Sequence, residues 1–498
     1  MSEQAEQHPT ARRSSFYRGV LLTGSGAAVN IVLLFLETLL VVRWLLPADY
    51  GVYVLLVAVV NLGVVVVDLG CKTAVTQMIA RGEPDRQAAL ASNVLAFRLV
   101  ASMALSLLIW LGRDLLLVLD PSRELARYLG YVPVLLVVAS YDELLSAILQ
   151  GFQAYRQVAT ALIGRSILRL SLTVLFLGLL NLGVMALIYS WVASFVVSVA
   201  YQYLVLPLRR RPAFQPALLV PLLTFGLPLQ GNRLLWFMFG RVNVFLIGAF
   251  TGPASVAFYE VAARIPEALQ RLSDSYLAVY FPTVTNLLAT DRRATATAML
   301  NRSIRLIAFA TALLALVAVV FAEQIVVLLF SDKYAASGLA FAVLMIAFHV
   351  TFVGNVMGYT LTAAGRPGRS FAQSLVRTLG NIIGDILLIP VLGFVGPAVA
   401  TMLSAYGANP IAVYLLRRSS VAVAIVPFLR QTLLLLVIAG IFVWARPSEL
   451  IYKGAIVLAF VVLSGALSTI RVDDLSLLLP AGLFKRPSLR KGLLPDGN

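Results

Sequence analysis

Runs of about 20 apolar residues recur from one end of this chain to the other, and that is the length one helix needs to cross the ~30 Å hydrocarbon core of a bilayer. In lipid the backbone N–H and C=O groups have no water to bond, so only helices or closed barrels can span. The runs are continuously apolar and do not alternate, which selects helices. Composition agrees: 60% of the 498 residues are hydrophobic and 12% charged, with a mean hydropathy of +0.91, against about 25% charged residues in soluble domains. The runs begin near Val20, Gly51, Ala88, Leu125, Gln157, Gly183, Ala217, Gly252, Ala298, Ala336, Ser370, Phe394, Phe428 and Tyr452. The expected fold is an all-α polytopic membrane protein of about 14 transmembrane helices. Residues 1–17 are polar and expected to be disordered. The run from Val20 to Val42 contains Glu37 and is too long for a signal peptide, so it is taken as the first span.

One stretch occurs twice. Its clearer copy runs from Leu361 to Leu416 and contains LTAAGRPGRS and NIIGDILLIPVLGFVGPAVATMLS; the fainter copy runs from Leu149 to Leu204 and opens LQGFQAYR. In each, a helix end passes through an Arg-bearing loop into an apolar helix with an Arg partway along, Arg165 or Arg377, then through an uncharged turn into a second helix. Upstream, LPADYGVY (Leu46 to Tyr53) is echoed by GPASVAFY (Gly252 to Tyr259). Two related halves of roughly 200 residues follow. Each holds an even number of spans, so the halves would be parallel repeats, as in known transporters. The expected organisation is a disordered amino terminus (1–17), an N-lobe of six helices (18–211), a C-lobe of six (212–418), two further helices (419–472) and a carboxy-terminal tail (473–498).

Lysine and arginine in short loops resist translocation. With the amino terminus in the cytoplasm, that side collects Arg12, Arg13, Arg18, Lys72, Arg81, Arg86, Arg156, Arg209 to Arg211, Arg292, Arg293, Arg366, Arg369, Arg417, Arg418, Arg430 and the tail. The bias over the other side is about three to one, with both termini inside. The net charge of +16 therefore reads as a topology signal and an attraction to anionic headgroups, and not as nucleic-acid binding.

Charges inside spans are expensive unless they face protein or water, so they mark function. The densest set lies on the eighth predicted helix, where Glu260, Arg264, Glu267, Arg271 and Asp274 are spaced 4, 3, 4 and 3. At 100° per residue they fall within an arc of about 80°, a single stripe of alternating sign. The seventh helix adds Arg233 and Arg241 in a run broken by Gly226, Pro228, Gly231 and Gly240, a pattern of kinked, mobile helices. Arg98, Arg165 and Arg169 are further mid-span candidates, while Arg305 and Arg377 are placed to snorkel. The acids Glu37, Asp142, Glu143 and Asp385 are read as partners for arginines or as coupling groups. All these mid-span cations are arginine, whose planar fork binds phosphate in a bidentate geometry that lysine lacks.

Other chemistries have little to build on. There is one cysteine, Cys71, and two histidines, His8 and His349, so no disulfide, metal cluster or Ser-His-Asp set is expected. TGSGAAV at Thr23 lacks the third glycine and preceding strand of a dinucleotide site. Gly380 and Gly384 form a GxxxG pair that serves helix packing. No enzyme and no cofactor are expected.

RWLLPADYGVYVLL (Arg43 to Leu56), the LQGFQAYR loop, LTAAGRPGRS and NIIGDILLIPVLGFVGPAVATMLS resemble the polysaccharide-exporter branch of the multidrug/oligosaccharidyl-lipid/polysaccharide (MOP) superfamily, which holds O-antigen and exopolysaccharide flippases of the Wzx type. The resemblance implies a MATE-like, V-shaped pair of six-helix lobes that alternate access around a cationic cavity. The implied cargo is an undecaprenyl-pyrophosphate-linked oligosaccharide, flipped across the cytoplasmic membrane. It also implies a cavity lined by the first, second, seventh and eighth helices, which here carry Glu37, Asp68, Arg233, Arg241, Arg264 and Arg271. The substrate-binding set is then Arg241, Arg264, Arg233, Arg271, Arg98 and Arg169, and the coupling or charge-pairing set is Glu37, Asp385, Glu260 and Glu267. Expected partners are the lipid-linked oligosaccharide, membrane lipids and other polysaccharide-assembly proteins. A lipid II flippase shares the same cationic logic. A multidrug/cation antiporter would want an acidic, aromatic cavity instead.

Overall fold

The structure, a computed structural model, describes residues 9–82, 84–207, 215–419, 421–445, 447 and 449–467. Arg209 to Arg211 and the tail at 473–498 lie outside them. Among the described residues there is no strand, and fourteen long helices follow in order. In the first half they are α1 (Pro9–Trp44), α2 (Pro47–Asp68), α3 (Pro84–Leu111), α4 (Val132–Gly151), α5 (Tyr155–Thr173) and α6 (Val184–Leu204). In the second half they are α7 (Leu219–Thr251), α8 (Pro253–Ala289), α9 (Arg293–Val320), α10 (Ser337–Ala363), α11 (Pro367–Leu392) and α12 (Gly396–Arg417). The last two are α13 (Val426–Ala445) and α14 (Leu450–Ala466).

Local chemistry fixes the boundaries. Pro47, Pro253 and Pro367 open their helices, where a missing N–H costs nothing. Leu69 and Gly70 at positive φ (46° and 78°) close α2 and turn the chain into a short helix, Cys71–Arg81. One expectation needs correction: α1 begins at Pro9, inside the segment expected to lack structure. Extending a formed helix fixes one residue per hydrogen bond gained, far cheaper than nucleating a new one. The fourth helix begins later than expected because Glu124–Arg127 and Leu129–Tyr131 form separate 3-10 turns.

Among the described residues, ten stretches are long and apolar enough to cross a bilayer, and one of them, Pro367–Arg417, contains both α11 and α12. α14 is slightly short at 17 residues. α7 yields only two shorter apolar pieces, Pro216–Gly231 and Gly240–Thr251, on either side of Arg233. α8 is interrupted by its charged stripe.

The helices gather into two compact units. The first takes the described residues up to Val261 with Val326–Ala336 and Asp385–Phe394; the second takes Ala262–Ile325, Ser337–Gly384 and the described residues from Val395 onward. In the first, Cys71, Val75 and Ile79 pack with Leu90 and Val94 of α3, Leu144 and Ile148 of α4, and Leu222 of α7. In the second, Tyr280 and Val284 of α8, Ile304 of α9, Val353 and Met357 of α10 and Ala412 of α12 share one core. His349 sits inside this core, within hydrogen-bond distance of Thr311 at 2.8 Å and Thr432 at 3.0 Å.

Lipid is as apolar as leucine, so close packing rather than water exclusion joins such helices, and small residues set how near they come. A Cβ added at Gly384 would lie 2.7 Å from the Ala400 Cβ, which ties the GxxxG pair to the α11–α12 packing. Large apolar side chains such as Val100 (68% exposed) and Ile451 (79%) face outward, as lipid-facing residues do.

Candidate functional site

Five charged side chains of the first unit join one network at the end of α2. Asp68, the last residue of α2, accepts a hydrogen bond from the Arg98 guanidinium of α3 at one oxygen and from Arg233 Nη1 of α7 at the other, the latter at 2.9 Å. Arg233 Nη2 donates to Glu143 of α4 at 2.9 Å, and Lys72 Nζ lies 3.7 Å from the same carboxylate. The Asp68–Arg98 pair is almost wholly buried, whereas the side chains of Arg233, Glu143 and Lys72 are about one-third exposed.

Gln230, one turn before Arg233 on the same face of α7, accepts from the Gly70 N–H at 3.1 Å and donates to the Val65 carbonyl. Gly226, one turn earlier again, meets the Gly70 backbone so closely that a Cβ on either glycine would collide with the other. The far end of α7 is equally tight. A Cβ on Gly51 would overlap the Pro253 carbonyl, so the two sequence echoes, LPADYGVY and GPASVAFY, touch each other.

A second pair lies toward that end: Arg241 Nη1 donates to Glu260 Oε1 at 2.6 Å, with the arginine 38% exposed and the acid 3%. α5 supplies two more. Arg165 pairs with Asp142, which also accepts from Ser198 and Gln202. Arg169 Nε donates to Glu37 at 2.9 Å and its Nη2 to the Tyr53 hydroxyl at 2.8 Å. Trp191 lies under Arg169 and Phe195 under Arg165. Aromatic faces add cation–π attraction to guanidinium groups held out of water.

The remaining predicted residues fall elsewhere. Arg264 and Glu267 are half-buried on α8 and Arg271 is exposed; they lie in the second unit, while Glu260 belongs to the first. Asp385 on α11 is completely buried, and neither of its oxygens has a hydrogen-bond partner. Arg377, two turns earlier, donates to the Asn355 amide oxygen at 2.8 Å. The structure thus brings Arg98 and Arg233 together at Asp68, Arg241 to Glu260, and Arg169 to Glu37. It keeps Arg98 out of reach of solvent altogether.

Two members of the network carried no functional signal in the sequence. Lys72 read only as a loop cation, although its spacing of four from Asp68 is that of a helical ion pair. Gln230 is uncharged, and its only clue is that it shares a face with Arg233. Among the described residues, no three His, Cys, Asp or Glu side chains cluster as a metal site would require.

The family pattern described as "Polysaccharide biosynthesis protein" matches residues 40–338, a span that takes in the Asp68 network, the α7 arginines and the α8 stripe. The chain belongs to this family. Two proteins of Haloferax volcanii are similar to this family member. The "probable low-salt glycan biosynthesis flippase Agl15" is 22% identical over 380 residues, 74% of this chain and 77% of that protein. The "probable flippase AglR" is 29% identical over 166 residues, 33% of this chain and 35% of that protein.

Solved structures show what fold this family member has. Lipid II flippase MurJ in its inward closed conformation matches with a TM-score of 0.67 and 13% identity, covering 90% of this chain and 98% of MurJ. An inward-facing MATE family multidrug transporter of the MOP superfamily matches with a TM-score of 0.62 and 18% identity, covering 78% and 94%. The fold is the all-α, polytopic, MATE-like fold of that superfamily.

Proposed function

We propose that this polysaccharide biosynthesis family member is a flippase for undecaprenyl-pyrophosphate-linked oligosaccharide repeat units. The coarser part rests on the family and on relatives whose names describe glycan-biosynthesis flippases. The finer part rests on one observation: Arg241, on the Gly- and Pro-interrupted α7, is more than one-third exposed while its acid, Glu260, is buried. A buried acid holds the guanidinium in position, and the partial exposure of Arg241 puts it within reach of an incoming anion. Arg264 follows Glu260 by one turn of α8, on the same stripe.

In this reading Arg241 and Arg264 hold the pyrophosphate, assisted by Arg233 and Arg271, while the lipid tail stays in the bilayer. Arginine suits the task because it binds phosphate oxygens bidentately and does not lose its charge. Arg98 and Arg169 are assigned to charge pairing with Asp68 and Glu37, since neither can leave its acid without stranding a buried charge. Glu267 pairs within the α8 stripe, and Asp385 is the coupling candidate. The lobes are proposed at 18–211 and 212–418, and the protein is placed in the cytoplasmic membrane with both termini inside, on the strength of the positive-inside bias.

The test is the Arg241→Ala, Arg264→Ala double variant in cells lacking the wild-type protein. Lipid-linked oligosaccharide is expected to accumulate on the inner leaflet, with membrane insertion unchanged. Export at the wild-type rate overturns the assignment. Accumulation of lipid II in its place would identify a cell-wall precursor as the cargo.

A further inference from the structure

The Arg-bearing loop of the clearer repeat, LTAAGRPGRS, has no part in the proposed cargo site, yet it borders a built cavity. Within the second unit, the end of α8, the start of α9, the α10–α11 turn and the end of α12 enclose a hollow of about 350 Å3. Arg293, Arg366 and Arg418 line it together with the Thr285 and Ser419 side chains. Gly365, at φ 72°, makes the turn that presents Arg366. Arg369 reinforces the rim by donating to Ser419 Oγ at 2.8 Å, and Arg418 stacks on Tyr414 with 4.8 Å from Cζ to the ring centre.

The charge here is not compensated. Among the described residues, no acid lines the hollow. Arg293 has one carboxylate, Asp291 at 3.0 Å, and both side chains are well exposed (61% and 86%), so the pair holds it only weakly. Among the described residues, neither Arg366 nor Arg418 makes an ion pair. Loop arginines alone would be accounted for by topology. Topology does not require guanidinium groups from three separate connections to converge on one concave, hydroxyl-lined space. Like charges gathered in this way repel one another, and an anion with several oxygens relieves that repulsion through charge-assisted hydrogen bonds.

The position and the lining identify the anion. All five helix ends lie on the side of the basic loops, at headgroup depth in the orientation proposed above, on which this reading rests. Leu288, Ala289, Ala363 and Val421 form an apolar wall beside the arginines. A free phosphate has no use for such a wall, whereas a phospholipid sets its glycerol and first methylenes against it. We propose that Arg293, Arg366 and Arg418 form a binding site for the phosphate headgroup of an anionic phospholipid of the inner leaflet, separate from the cargo-binding arginines.

The full-length protein, purified and exchanged into mixed phosphatidylglycerol and phosphatidylcholine, can be examined by native mass spectrometry for retained lipid. The wild type and an Arg430→Gln control, which removes a basic residue outside the cavity, should both retain phosphatidylglycerol. Arg366→Gln, a change at an exposed residue, should weaken retention about tenfold, the equivalent of one charge-assisted contact. The Arg293→Gln, Arg366→Gln, Arg418→Gln variant should abolish it.

Equal retention by wild type and triple variant overturns the proposal, as does an equal loss in Arg430→Gln. Protection of the protein by inorganic phosphate with no selectivity for phosphatidylglycerol makes the hollow a site for soluble anions and also overturns it. The readout needs no transport, so it stands or falls separately from the flippase assignment.

Discussion

The charges of α2 to α5 and those of α11 are handled in opposite ways. Asp68 and Asp142 are buried and each ends on an arginine, Arg98 with Arg233 and Arg165 respectively, while Glu37 of α1 ends on Arg169 of α5. Asp385 on α11 is as deeply buried and meets no donor at all. Arg377 on the same helix meets only an amide. A carboxylate held by a guanidinium in a low-dielectric interior is fixed, because neither partner can leave without stranding the other. A buried carboxyl without a partner is locked to no neighbouring cation. The first region is therefore a framework, and α11 is where a change of charge costs least.

The largest expected effect is at Arg98. Arg98→Ala empties a fully buried site and leaves Asp68 only the partly exposed Arg233, so it should cost about 3–5 kcal/mol, seen as loss of the folded species on gel filtration or a large fall in Tm; the Arg98→Met, Asp68→Leu pair should recover much of it. A folded Arg98→Ala protein of wild-type stability would break the comparison. Arg169→Met comes next at about 2–3 kcal/mol, reduced because the side chain keeps some access to solvent. Its marker is rescue by Glu37→Met, and a double variant no better than the single would mean that the pair is not the source of the loss.

Arg377→Gln removes one hydrogen bond to Asn355 and should cost about 1 kcal/mol. The smallest effect belongs to Asp385→Asn, expected to change stability by less than about 0.5 kcal/mol because the amide keeps the shape of a carboxyl that holds no ion pair. A loss there comparable to Arg98→Ala would show that Asp385 carries a structural charge, and the contrast between the regions would disappear.

Much of the fold was legible from local signals. Apolar runs fixed the helices, and proline and glycine fixed many of their ends, because backbone satisfaction in lipid leaves a chain few choices. The places where reading failed are also informative. Polar Thr10 to Tyr17 resembled a disordered tail, but a helix already nucleated by the following span continues through it. The arginines were visible as costly residues, and Glu37, Asp142 and Glu143 as acids. Which acid met which arginine was not visible, since Arg169 and Glu37, or Arg233 and Asp68, are separated by more than a hundred residues. Gln230 and Asn355 were missed because neutral amides carry no penalty large enough to stand out in a sequence.

The sequence by itself determined the solvent, the helices, the doubled organisation and the family, all of which follow from composition, periodicity and repeated short motifs. Only the tertiary structure decided the pairing of charges: that Arg98 is sealed against Asp68, that Arg241 stays partly exposed beside a buried Glu260, that Asp385 has no partner among the described residues, and that the GRPGR loop borders a basic hollow. The reason is physical. Helix formation in a membrane is dictated residue by residue along the chain, whereas the cost or usefulness of a buried charge depends on what another helix brings within about 3 Å of it.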